Sequence, residues 1–183
     1  MSMIKGFHHL TAGVSGAQED VDFYVSLLGQ SLVKKTVLLD GDDPIYHLYY
    51  GNANGDPGTL VSSFPLGQKG VKARPGSGQV RVINFPVPRD ALEFWRERFA
   101  SRGVDYDADM TERFGERRQR FYHPCGIEFD LVETDHDARP PCTAAGIPAD
   151  VAIRGVHSVT LSLREVAESI LFMTEALDFR HVD

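Results

Sequence analysis

Cysteine is scarce in this chain of 183 residues, and long hydrophobic runs are missing. Cys125 and Cys142 could pair with each other, but two cysteines are too few for a disulfide scaffold. No apolar run approaches the roughly 20 residues that a membrane helix needs. The residues after Met1 contain no apolar segment typical of a secretory signal. These absences favour a reduced, cytoplasmic protein that does not enter a membrane.

Basic residues are in the minority, because 19 Lys and Arg stand against 26 Asp and Glu, which gives a formal net charge of −7. Nucleic-acid surfaces need clustered excess Lys and Arg, so we expect no nucleic-acid partner. Residues 113–120 are locally basic, but Glu112 borders this run and Glu116 interrupts it. We interpret the run as a solvated strand face.

Short strands and single helices follow each other in the same order twice. We predict the first set of strands at 5–13, 31–39, 45–51 and 58–64, with a helix at 18–28. We predict the second set of strands at 80–87, 104–110, 117–123 and 127–132, with a helix at 89–102 whose buried stripe is Leu92, Trp95 and Phe99. The predicted fold class is therefore α+β, built from tandem βαβββ modules.

A third copy begins near the end of the chain. Residues 153–160 (IRGVHSVT) overlay residues 4–11 (IKGFHHLT) without a gap, and the same offset aligns Phe172 with Phe23. Such a repeat predicts another unit of the same kind. The chain ends before that unit could complete its sheet, so we expect the strand at 154–163 to lack sheet partners and its helix to expose an apolar face.

The repeat divides the chain into four parts. These are a first module at 1–66, a second module at 67–134, a linker at 135–150 and the start of a truncated third module at 151–183. We therefore expect the chain to be the front part of a longer architecture. A chain of this kind is either truncated or completed by a partner chain. A homo-oligomer is the other assembly that we consider.

Several short motifs occur along the chain in a fixed order. They are residues 6–11 (GFHHLT), 45–50 (IYHLYY), 57–60 (PGTL), 113–115 (RFG) and 123–127 (HPCGI). Together with the βαβββ pattern, they resemble the hydroquinone ring-cleaving dioxygenases. These belong to the vicinal oxygen chelate superfamily, which includes glyoxalases, bleomycin-resistance proteins and extradiol dioxygenases. The resemblance extends from about residue 4 to the end.

The resemblance implies a protein of four units that binds one Fe(II) through two His and one Glu, with Mn(II) as the other possible metal. It implies that O₂ and a small aromatic substrate, a hydroquinone or chlorinated hydroquinone, are the reaction partners. His9 would be the first metal ligand, while the other His and the Glu would lie in a fourth unit that this sequence does not contain. We therefore expect this chain to be inactive without those missing ligands.

His9 also differs from its neighbours by position in the sequence. Strand alternation predicts that His9 shares a face with Thr11 and that His8 points the other way. In the repeat, His8 aligns with His157 and His9 aligns with Ser158. His9 is thus peculiar to the first unit, as a specialised ligand should be. For His8 the resemblance implies either support of the metal ligand from beside it or a catalytic, acid–base contribution. We interpret His157 as structural.

Other polar residues are weaker candidates. Asp130 lies on the last strand of the second unit, where superfamily members often have a carboxylate ligand. Glu128 on the same strand competes with it for this role. For both residues we favour the interpretation as an ion-paired or solvated carboxylate. His47 lies in an aromatic run that forms core or lines a cleft for a planar substrate. His123 is assigned to a turn, and the segment 135–137 (DHD) to a linker too irregular for a rigid site.

Three functions follow from these patterns. The first is the Fe(II)-dependent ring-cleaving dioxygenase, represented by its N-terminal part. The second is another metal-dependent enzyme of the glyoxalase type, which would need ligands within these two units. The third is a non-catalytic binding protein with the same fold.

Overall fold

The first sheet is formed by the first βαβββ unit. The computed structural model describes residues 4–40, 43–72, 74–135 and 137–182. The elements of this unit are β1 (His9–Gly13), α1 (Ala17–Val21) with its π-helical continuation (Asp22–Leu27), β2 (Ser31–Asp40), β3 (Asp43–Gly51) and β4 (Leu60–Phe64). The strand order is β1-β4-β3-β2, with β1 parallel to β4 and the other neighbours antiparallel. In this order β1 is an edge strand.

The second sheet contains the second unit and one strand from the third. Its elements are β5 (Gln79–Val87), α2 (Leu92–Arg102), β6 (Thr111–Arg113), β7 (Glu116–Tyr122), β8 (Glu128–Glu133) and β9 (Ser158–Ser162), and α3 (Ala167–Glu175) follows. The strand order is β6-β7-β8-β5-β9, with β5 parallel to β8. Two βαβ-type crossovers of the same design thus build both sheets, and the predicted α+β class with tandem modules is confirmed.

The helix α2 packs on its sheet through the apolar stripe predicted from the sequence. Leu92, Trp95 and Phe99 are all fully buried, and the Trp95 indole Nε1–H donates a hydrogen bond to the carbonyl of Val151 at 2.8 Å. Phe23 from the first unit lies 5.4 Å, ring to ring, from Phe129 of the second. The two units therefore share one aromatic core, which fixes the position of the first sheet relative to the second.

The first predicted strand starts too early, and another predicted strand is a loop. The first strand begins at His9 rather than at residue 5, because Gly6 has φ +141, which is outside the extended range of a strand. The predicted strand at 104–110 is a loop with one isolated bridge between Tyr106 and Phe121, and the short β6 follows it. Aspartates at 105, 107 and 109 account for this difference, since Asp is depleted in strands.

The strand of the third unit is paired, contrary to the prediction. β9 runs antiparallel to β5, with Ser158 opposite Asn84 and Thr160 opposite Val82. The prediction considered only partners from the same unit, whereas the free edge of β5 supplies the backbone donors and acceptors that β9 needs. The apolar side of α3 is exposed, as expected, because Leu171 and Phe172 are 56% and 60% exposed.

The segment between the second and third units is held by Arg139. Its guanidinium donates hydrogen bonds to the carbonyls of Gly58 at 2.6 Å and Val156 at 2.9 Å, and it pairs with Asp137.

His136, the central residue of the 135–137 motif, lies outside the described residues. Among the helices of the described residues, none combines the length and the apolar character required to span a bilayer.

Candidate metal and substrate site

The face of the first sheet that points away from α1 carries the residues of the first candidate site. The register pairs Thr11 with Ser62 and Ser62 with Tyr49, so these three residues share this face with His9 and His47. Thr11 Oγ1 and Ser62 Oγ are 2.8 Å apart and form a hydrogen bond. Asp20 of α1 contacts Tyr50 and Ser63 on the opposite face, and His9 and Thr11 are exposed on this one.

His9 is exposed at the start of β1. Its Nδ1 lies 3.0 Å from Nδ1 of His8, and its ring centroid lies 6.0 Å from that of Tyr49. The prediction that His8 points away from His9 is therefore wrong. The strand begins only at His9, and His8 lies in a bend, so the alternation of a strand does not extend to it. Within the described residues, His9 Nε2 makes no hydrogen bond.

Aromatic rings that are stacked or tilted against each other form an aromatic platform next to His9 on the same face. The His47 imidazole stacks on Phe64 with centroids 4.0 Å apart and lies 4.4 Å from Tyr49. Burial, with the charges of Lys34 and His9 as smaller causes, lowers the pKa of His47, so its neutral form is favoured. The sequence suggested that aromatic rings near His47 line a cleft for a planar substrate. The contribution of Phe64 was missed, because Phe64 lies on β4 and reaches His47 only through the pairing of β3 with β4.

A complete metal site is not found in the described part of the chain. In residues 4–40, 43–72, 74–135 and 137–182, no three His, Cys, Asp or Glu side chains are grouped so that they could hold a metal. The face around His9 carries hydroxyl, imidazole and aromatic groups. His9 thus fits a metal as one imidazole ligand with a free Nε2, and the remaining ligands would have to reach this face from elsewhere.

The two candidate carboxylates on β8 are ion-paired. Arg120 donates to Asp130 through Nε and to Glu128 through Nη1, the latter at 2.7 Å, and Arg81 pairs with Glu128 as well. Both carboxylates lie on the second sheet, away from His9. The favoured reading of Glu128 and Asp130 as ion-paired side chains is confirmed.

A buried polar cluster links the two units, and sequence reasoning missed it. The Asp20 carboxylate accepts hydrogen bonds from Tyr50 Oη at 2.6 Å and from Ser63 Oγ, and His123 Nε2 lies 3.4 Å from Asp20 Oδ1. Burial alone would lower the pKa of His123, but its interactions with Asp20 and with Cys125 raise it to about 9. These residues are far apart in sequence, and no local pattern signals their contact.

The remaining histidine and cysteine candidates have local partners. His157 contacts Ser158 Oγ at 2.8 Å through Nδ1 and Glu116 at 3.1 Å through Nε2. Cys125 Sγ lies 2.9 Å from His123 Nδ1. Cys125 and Cys142 are free thiols, so the disulfide that the sequence allowed is not formed.

The fold and the repeated units agree with one family. Residues 6–131 match the family model of the Glyoxalase/Bleomycin resistance protein/Dioxygenase superfamily. The chain belongs to this superfamily. A glyoxalase family protein from Enterococcus faecalis of known crystal structure, 19% identical, shares its fold with a TM-score of 0.57 over 71% of this chain and 98% of that protein.

More similar relatives are named for ring cleavage. The chain is 40% identical over 179 residues to the chlorohydroquinone/hydroquinone 1,2-dioxygenase of Sphingobium indicum. The matched region covers 97% of this chain and 56% of that protein. It superimposes on the crystal structure of a Bacillus subtilis protein described as a dioxygenase, with a TM-score of 0.87, 36% identity and coverage of 99% of this chain and 56% of the other. The chain thus spans little more than half the length of these relatives.

Proposed function

We propose that this chain is the N-terminal part of a non-haem Fe(II) dioxygenase that opens the ring of hydroquinone or a chlorinated hydroquinone. The observation that carries the proposal is the open face of β1, where the free Nε2 of His9 adjoins an aromatic platform. The 40% identity to a chlorohydroquinone/hydroquinone dioxygenase supports the substrate class. A ligand set of imidazole and carboxylate groups also accepts Mn(II).

The missing ligands are expected to come from a strand that pairs with the free edge of β1. In the second sheet, β5 is the first strand of the second unit, and β9, the first strand of the third unit, pairs antiparallel with it. By the same rule, the first strand of a further unit would pair with β1 and carry its side chains onto the face of His9. That unit would belong to the same polypeptide or to a completing partner chain. A second copy of this chain is the other source from which the ligands could come.

His8 is suited to orient His9. Two Nδ1 atoms at 3.0 Å form a hydrogen bond only if one donates and the other accepts. If His9 donates from Nδ1, its Nε2 carries the lone pair that a metal needs, and His8 fixes this tautomer. His8 would then carry its own proton on Nε2, and this N–H could donate a hydrogen bond to a substrate oxygen.

Bound Fe(II) would supply Lewis-acid polarisation of a phenolic oxygen and the redox chemistry that O₂ requires. The chain's own contribution is binding and orientation. The rings of His47, Tyr49 and Phe64 offer a planar substrate aromatic contacts beside His9. Holding the reactants at fixed positions lowers the entropic part of the barrier.

The test needs a complete coordination sphere. The chain is fused to the part of the Sphingobium indicum relative that lies beyond the matched region, loaded with Fe(II) without oxygen, and mixed with chlorohydroquinone and O₂. We expect oxygen uptake together with a ring-opened product, and we expect both to be lost in His9→Gln. His157→Gln, in the equivalent strand of the third unit, should keep both activities.

A folded, iron-loaded fusion that consumes no oxygen would contradict the proposal, as would turnover that survives His9→Gln. Turnover of a hemithioacetal in place of a hydroquinone would favour the glyoxalase-type alternative. That alternative is weakened by the ion pairs of Glu128 and Asp130, since these were the only carboxylates offered for it. A fusion that binds neither metal would favour the non-catalytic reading.

A further inference from the structure

A cavity lies on the second sheet, away from the site at His9. It has a volume of about 290 Å³ and lies between β5, β9 and the β6–β7 hairpin. Its lining includes Asn84, Arg113, Phe114, Glu116, Arg118 and Ser158. The sequence predicted a solvated strand face for residues 113–120, but Arg118 is only 5% exposed.

Two buried polar atoms of the cavity have hydrogen-bonding capacity left. Arg118 Nη2 pairs with Glu116 at 3.1 Å, but its Nε–H has no acceptor among the described residues. Asn84 is 1% exposed, and its Nδ2 donates to Ser158 Oγ at 2.9 Å, while its Oδ1 accepts nothing from the described residues. Buried polar atoms are costly to leave unpaired. One charged donor and one acceptor are therefore available to an occupant.

The chemistry of this lining does not suit a metal. Ser158 stands at the repeat position that His9 has in the first unit. Glu116 is engaged by Arg118 and by His157 at 3.1 Å, so it is not free to coordinate. Arg113 and Arg118 against Glu116 leave one positive charge in excess, which favours an anion.

The mouth of the cavity adds an aromatic contact. Phe114 is 60% exposed at the tip of the β6–β7 hairpin, and the Arg113 guanidinium lies 4.8 Å above its ring. Val159 and Leu161 supply apolar lining from β9. A flat ring carrying one negative charge matches both features, since it can stack on Phe114 and approach the cations.

We propose that this cavity binds a small aromatic monoanion that bears both a carboxylate and a hydroxyl group. The carboxylate accepts from Arg118 Nε, and the hydroxyl donates to Asn84 Oδ1. The binding requires no metal and is independent of the chemistry proposed at His9, so each claim can fail while the other holds.

The proposal is tested by titrating the purified chain with 4-hydroxybenzoate in a calorimeter, with EDTA present. We expect one binding site per chain. The neutral 4-hydroxybenzamide lacks the negative charge that strengthens the hydrogen bond from Arg118, and the hydroxyl-free benzoate lacks the hydrogen bond to Asn84. Each should therefore bind about tenfold more weakly. Equal affinity for the acid and the amide, or no binding of the acid, would overturn the proposal.

Two variants locate the site. Arg118→Gln should weaken 4-hydroxybenzoate binding at least about tenfold, whereas Arg102→Gln, a matched change on the exposed end of α2, should leave it unchanged. If Arg118→Gln does not fold, Asn84→Asp serves instead, since it keeps the shape of the side chain and turns a carboxylate toward the anion. Undiminished binding in Asn84→Asp or in folded Arg118→Gln would show that the anion binds elsewhere and overturn the assignment.

Discussion

Replacing Phe23 with alanine is expected to lower the free energy of unfolding by about 3–5 kcal/mol. Phe23 is 4% exposed, and its ring lies against Phe121, His123 and Phe129 of the second unit. The substitution therefore removes a large apolar side chain and leaves a cavity where the two units meet. Urea unfolding followed by circular dichroism measures the change.

The repeat provides a matched control for this prediction. Phe172 occupies the position in α3 that Phe23 occupies in the first helix, but it is 60% exposed. Phe172→Ala should change the free energy of unfolding by less than about 0.5 kcal/mol. Equal losses for the two variants would contradict the described packing, because they would require α3 to be buried as deeply as α1.

The stability of the chain is expected to fall between pH 6.5 and 9 because of His123. The pKa of this residue is raised from 6.5 to about 9 in the folded protein. A raised pKa means that folding favours the protonated form, so the stabilisation is fully present below pH 6.5 and is lost as the pH rises through 9. The shift corresponds to about 3 kcal/mol. Unfolding in urea at a series of pH values measures the loss.

Asp20 is the partner that distinguishes this explanation from general charge effects. The groups that face His123 are Asp20 and Tyr24 from the first helix region and Cys125 from its own turn. Asp20→Asn removes the carboxylate that favours the imidazolium and should abolish the decline between pH 6.5 and 9. Glu19→Gln removes an exposed carboxylate one residue away and should preserve the decline. A decline that persists in Asp20→Asn would contradict this origin.

The sequence was sufficient where structure depends on local pattern. The stripe of Leu92, Trp95 and Phe99 predicted the buried side of α2, and the repeat predicted a third unit with an exposed helix. Hydrophobic periodicity and repeats of this kind are read from neighbouring residues, so they need no knowledge of tertiary contacts.

The sequence was insufficient where structure depends on distant pairing. The contact between Asp20 and His123 joins two units, and β9 finds its partner in β5 rather than in its own unit. The burial of Arg118 could not be predicted either, because no local pattern distinguishes it from the neighbouring arginines of the same strand. The relation between His8 and His9 was misjudged because strand alternation was applied one residue before the strand begins.

The central claim is that His9 forms one corner of a metal site, and metal titration of the chain tests it most directly. Mn(II) is added to protein labelled with ¹⁵N at histidine, and paramagnetic broadening of each imidazole signal is followed by NMR. We predict that His9 and its neighbour His8 broaden at the lowest Mn(II) concentrations, before His123 and His157. In His8→Gln the broadening of His9 should remain, whereas in His9→Gln that of His8 should disappear. Broadening of His8 that persists in His9→Gln, or equal broadening of all exposed histidines, would contradict the account.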